Sequence, residues 1–100
     1  DHLHLPLVSV AEEAKKVVAQ LRSHKSMNFR ALVADAENTL VIVARFLALL
    51  ELYREGVLRF EQVAALGELQ IMWIGSESGE VEVSDEFDQA VVVKDEQGGE

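Results

Sequence analysis

The chain has 100 residues, 49% of them apolar and 27% charged, with a formal net charge of −9 and no cysteine. This suffices for one domain with a modest core and describes a folding chain, not a disordered one. Disulfide and thiolate chemistry are excluded, no run approaches the roughly 20 apolar residues that span a bilayer, and no basic-then-apolar export signal opens the chain.

The absence of cysteine fits a reducing compartment. The first residue is Asp1, not methionine, as expected of a piece of a longer protein. The charge is unevenly spread. Residues 1–76 hold nine acids against eight bases, whereas residues 77–100 hold nine acids against Lys94 alone. Acidity therefore belongs to the C-terminal quarter, where it favours solubility and repels nucleic acid.

Residues 1–8, DHLHLPLV, read as an extended lead-in ending beyond Pro6. His2 and His4 alternate in the way that some metal sites use, but no third ligand lies nearby, so a plain linker is expected. Ser9 and Glu12 form a capping box that opens a first helix over Val10–Ser23. Its apolar positions Val10, Ala14, Val17, Val18 and Leu21 recur at helical spacing. Residues 24–27 make a short connection. Asn28 then caps a brief second helix, Phe29 to Ala36, with Phe29, Leu32 and Val33 inward.

The stretch Asn38–Gly56, NTLVIVARFLALLELYREG, predicts the longest helix, with a polar cap at its start and Gly56 as its left-handed end. At 100° per residue, Ile42, Val43, Phe46, Leu49, Leu50 and Tyr53 fill one arc, which Val41 and Leu52 widen. Leu47 lies beyond its other edge. A core-facing stripe is ordinarily little more than about 100° wide. This helix holds more apolar surface than one neighbouring layer covers, so either the fold wraps it or a partner does.

After Gly56 the period turns from helical to alternating. Val57–Glu61 and Leu69–Ile74 read as two strands joined by a hairpin connection through Gly67. Two strands alone are marginal, so they must lie against the helices. Three helices followed by a two-stranded β-hairpin wing make an α+β, winged-helix chain. From Gly75 on the sequence is acidic and glycine-rich, and it reads as mostly disordered, with Glu80–Val83 pairing weakly if at all. The layout is thus a linker at 1–8, a winged-helix domain at 9–75 and an acidic tail at 76–100.

Catalysis needs convergent reactive groups, and none is found. No glycine-rich loop follows a strand and opens a helix, and no serine sits at a strand-to-helix elbow. The pairs Glu12/Glu13 and Glu51/Glu55 sit where solvent-facing helix charge belongs. No catalytic residue, metal ligand or cofactor is expected. A winged-helix DNA-binding regulator is the alternative, because such domains place a helix in the major groove. Here that helix offers only Arg45 and Arg54, and the wing sets Arg59 against Glu61 and Glu68, too few cations for phosphate contacts. Protein binding remains: an over-apolar helix beside an over-apolar strand suggests one contiguous interface patch, occupied by a partner or by a second copy.

The motif Phe46-Leu47-Ala48-Leu49-Leu50-Glu51-Leu52 precedes a turn, Val57, Gln62 and then Leu66-Gly67-Glu68-Leu69. Over residues 7–75 this pattern resembles the C-terminal winged-helix domain of the ScpA family, the bacterial kleisins of SMC–ScpA–ScpB complexes. That family usually carries an aromatic where Leu66 stands. The resemblance implies a non-enzymatic adaptor in chromosome condensation and segregation, acting in the cytoplasm with the nucleoid. It implies docking on the cap side of an SMC ATPase head through the third helix and the wing. Phe46 and Leu50 would face the head, with Arg45, Leu49 and Tyr53 beside them and Ile71 and Trp73 on the strand. Other parts of a full-length kleisin would grip the second SMC subunit and ScpB, DNA being held only indirectly and no membrane being involved.

Overall fold

Ser9 starts the first helix, α1 (Val10–His24), by accepting a 3.1 Å hydrogen bond from the Glu12 backbone N–H into its side chain. The computed structural model describes residues 8–62 and 67–83. The His2/His4 pair, the linker before Val8, Leu66 in the hairpin turn and the tail from Ser84 onward lie outside the described residues. Val8 itself, placed in the linker by the sequence, is buried against the helices.

α1 ends on Lys25, whose φ of 71° is the one left-handed non-glycine conformation among the described residues. That turn reverses the chain into a short strand, β1 (Ser26–Asn28). Asn28 caps α2 (Phe29–Leu32) by accepting from the Ala31 N–H at 2.8 Å. Asn38 caps α3 (Thr39–Arg54) in the same way through Val41, at 3.1 Å. At the far end Gly56 has φ 79°, its N–H donates to the Tyr53 carbonyl, and the Val57 N–H reaches back to the Leu52 carbonyl. This is a Schellman closure, which satisfies carbonyls the helix leaves open and needs a residue without a Cβ penalty.

β2 (Leu58–Gln62) and β3 (Leu69–Trp73) pair antiparallel, with Leu58 opposite Trp73 and Gln62 opposite Leu69. β1 adds on the other edge of β3, Met27 facing Ile71, so the sheet order is β1-β3-β2. The result is α+β, three helices with a small antiparallel sheet, compatible with a winged helix. Between α1 and α3 two details differ from the sequence reading. The connection after α1 becomes a third strand because β3 offers it a free edge. α2 stops at Leu32, not Ala36, because the Leu32 carbonyl accepts from the Arg45 guanidinium at 2.9 Å and the Ala36 N–H turns to Val33 instead.

Two apolar clusters hold these elements. One joins Val17, Val18 and Leu21 of α1 to Leu32, to Leu49 and Leu52 of α3, and to Leu58, Ile71 and Trp73 of the sheet. The other is a tighter seam of Val8, Val10 and Ala14 against Ala44 and Ala48. Small residues at that crossing let the α1 and α3 backbones approach closely. Residues 76–83, assigned to the tail by the sequence, lie along α1, with Val81 and Val83 packed on the clusters.

Candidate protein-interaction surface

The helical repeat divides α3 into two faces. Ala44, Arg45, Ala48, Leu49, Glu51 and Leu52 are buried. On the opposite side, at steps of three and four, stand Val43, Phe46, Leu50 and Tyr53, exposed to 41%, 49%, 37% and 54%. Residues at that spacing share one face, so these four form a continuous ridge along the helix.

Aromatic contacts extend the ridge onto its neighbours. Phe29 meets Phe46 edge-to-face, with centroids 6.1 Å apart and planes at 89°. Tyr53 stacks on Phe60 of β2 at 5.2 Å and 30°. Both are favourable aromatic geometries, and they hold the exposed rings in set orientations. Leu69, 45% exposed, begins β3 on the face shared by Phe60 and Ile71. The surface therefore runs from the start of α2, along α3, to the turn end of the hairpin, where Gln62 pairs with Leu69. The opposite face of the sheet carries Ser26, Asn28, Arg59, Glu61, Gln70 and Met72, which is polar except for Met72.

Two of the three charges of α3, Arg45 and Glu51, are buried. The Arg45 Nε donates to Glu13 of α1 at 2.8 Å, and its Nη1 donates to both the Leu32 carbonyl and Asp35. One guanidinium thus ties α1, α2 and α3 together, and Lys16 adds a 3.2 Å contact to Glu13. Burial works against the Arg45 charge, but its hydrogen bonds to Asp35 and Glu13 outweigh that and hold its pKa above the ordinary value. The hydrogen bond from Arg45, together with its charge, holds the Asp35 carboxyl below the usual carboxylate range. Arg54 pairs with the buried Glu51 at 2.7 Å. Both arginines of α3 are engaged with carboxylates, so the helix presents an apolar ridge and not a cationic one. Direct reading of DNA by α3 loses Arg45 to the interior and leaves one exposed arginine, Arg54, already paired with Glu51.

The family model described as segregation and condensation protein ScpA matches residues 2–74. The chain belongs to that family. No solved structure matches the chain. ScpA is a structural kleisin family of SMC complexes, not an enzyme family, and its role lies in chromosome segregation and condensation. Among the described residues, no helix is long and apolar enough to cross a membrane.

Within this ScpA-family chain, the seven residues nominated from sequence divide by burial. Phe46, Leu50 and Tyr53 are on the open ridge. Arg45 and Leu49 are enclosed, at 3% and 2% exposure, as are Ile71 and Trp73 of β3. The last two point between sheet and helices, so in this fold all four shape the surface from behind without lying on it. Sequence reasoning did not nominate Val43, Phe29, Phe60 or Leu69. Val43 was legible as a member of the apolar arc. The other three depend on how α2 and the hairpin meet α3, which no local pattern encodes.

Proposed function

We propose that this chain is the kleisin domain that docks on the ATPase head of an SMC protein, on its cap side, with the α3 ridge as the seat. The observation that carries this is the line Val43, Phe46, Leu50, Tyr53, apolar and open on a helix whose other face is fully used by the fold. Fully burying a large apolar side chain is worth roughly 1.5–3 kcal/mol relative to leaving it in water, so four aligned ones favour a covered state. In such seams a few anchors dominate, and Phe46 and Leu50 stand at the middle of the ridge. The matching head surface would be apolar. ATP binding and hydrolysis would belong to the head. Parts of the full-length kleisin outside these residues would hold the second SMC subunit and ScpB, with DNA enclosed by the assembly and not touched by this domain.

The test is co-purification with an isolated SMC head, with and without ATP. Phe46→Arg and Leu50→Arg should each weaken capture by about 30-fold or more, the loss expected of a central anchor. Circular dichroism and the thermal midpoint should stay close to those of the parent, because both side chains already face water. Full capture by both folded variants would refute the assignment.

A further inference from the structure

Residues 76–83, Ser-Glu-Ser-Gly-Glu-Val-Glu-Val, cross α1 without joining the sheet. Their grips are of two kinds. At the near end the Arg22 guanidinium donates to the Ser76 carbonyl at 3.0 Å and to the Gly79 carbonyl at 2.8 Å, while Lys25 pairs with Glu77. The Trp73 indole N–H also donates to the Ser76 carbonyl, at 3.0 Å, and Arg22 lies 5.2 Å over the same ring. At the far end, half-buried Val81 and Val83 pack on the core, and Val83 touches both apolar clusters. Between the strap and the helix a groove stays open, walled on α1 by Ala14, Lys15, Val18 and Arg22 and on the strap by Val81 and Val83.

The segment is built to lie there, yet lightly held. Gly75 lets the chain leave β3 against the core, since a Cβ there would come within 2.9 Å of the Trp73 indole and of Val57. Gly79 turns at φ 91°, a conformation other residues rarely adopt. Residues 76–80 and Glu82 are exposed, and only the two valines are half-buried. Few buried apolar contacts and no ladder hydrogen bonds place such a segment at the low-stability end of a fold. Of its acids, Glu77 pairs with Lys25 just beyond α1, so the attraction is partly ionic and open to screening.

We propose that residues 76–83 are a releasable strap seated across α1, and that the face of α1 beneath it selects an extended acidic segment with valines at alternate positions. The occupant is the chain's own strap. This reading is independent of the α3 ridge, because the groove is lined by α1 and the strap alone.

Trp73 is the only tryptophan, and it sits under the strap's near end, so its fluorescence reports closure in the full chain. In the double variant Val81→Glu/Val83→Glu, acrylamide quenching of Trp73 should rise about twofold as the indole is uncovered, while helical circular dichroism is retained. Adding the synthetic peptide SESGEVEV should return the variant's quenching to the parent value in a saturable way. It should not alter the parent protein, whose own strap already covers that face of α1. Gly79→Ala gives a milder, charge-neutral version in which quenching rises less and reverses with the same peptide. Unchanged quenching in both variants, failure of the peptide to reverse it, or loss of helical structure in the Gly79→Ala protein would each overturn the proposal.

Discussion

The two faces of α3 invert what composition alone suggests. The face pressed against α1 is built from Ala44 and Ala48, flanked by the buried Arg45 and Glu51. The face left in water is built from valine, phenylalanine, leucine and tyrosine. Size, not hydrophobicity, sorts the residues: a close helix crossing admits only small side chains, while Leu49 and Leu52 turn to the wider space above the sheet. The large residues that remain are only edged by this domain, Phe46 by Phe29 and Tyr53 by Phe60, and stay largely in water. A helix apolar all round in so small a fold is thus two surfaces on one rod, one for folding and one for association.

The sharpest way to break that comparison is to make one substitution on each face. Leu52 is fully enclosed, whereas Leu50, two residues earlier on the same helix, is 37% exposed. Leu52→Ala should cost about 4 kcal/mol of unfolding free energy, within the range for a buried leucine that leaves a cavity. Leu50→Ala should cost less than about 1 kcal/mol, since much of that side chain is already hydrated. Urea denaturation of both variants decides it; comparable losses would mean that α3 has no open face in solution.

The next largest effect tests the charged part of the closed face. Arg45→Ala leaves the buried Glu13 carboxylate without its 2.8 Å partner and frees the Leu32 carbonyl. Removing one member of a buried pair costs about 3 kcal/mol, because the desolvated charge left behind is the expensive part. Lys16 still reaches Glu13, which limits the loss. A double-mutant cycle with Glu13→Gln should recover part of it. If Arg45→Ala instead leaves stability unchanged and weakens capture of an SMC head, the guanidinium belongs to the interface and not to the core.

The features legible in the chain were those carried by neighbours in sequence. Ser9, Asn28 and Asn38 mark helix starts, and Gly56 ends α3, because each cap is a bond within three or four residues. The hairpin followed from alternation in Val57–Glu61 and Leu69–Ile74, each within one residue of β2 and β3. Illegible features rest on contacts between distant residues. β1 has three residues, too few for a period, and exists because β3 pairs with it. Arg45 looked like a surface charge because Glu13 lies 32 positions away, and nothing local joins them. Ile71 and Trp73 were candidate contacts through the family resemblance, but pleating turns both toward the helices, where they are buried. Val81 and Val83 stood among acids, and only the face of α1 beneath them gives them a place. The surplus of apolar surface on α3 was legible; which part of it stays open was settled by packing.

The smallest effect concerns the outer edge of the Arg45 node. Asp35 is exposed, and the hydrogen bond and charge of Arg45 lower its pKa from the ordinary 3.8. A carboxyl whose folded pKa is depressed adds stability above its unfolded pKa and loses it as pH falls through the folded one. The thermal midpoint of the parent should therefore exceed that of Asp35→Asn by a constant margin from neutral pH down to about 4. The margin should then close as acid protonates Asp35 and makes it resemble asparagine. Because the carboxylate is in water, added salt should shrink the margin as well. Should the margin persist unchanged well below pH 3.8, Asp35 would be holding the turn after α2 by its shape, and the guanidinium would owe its place to Glu13 and the Leu32 carbonyl.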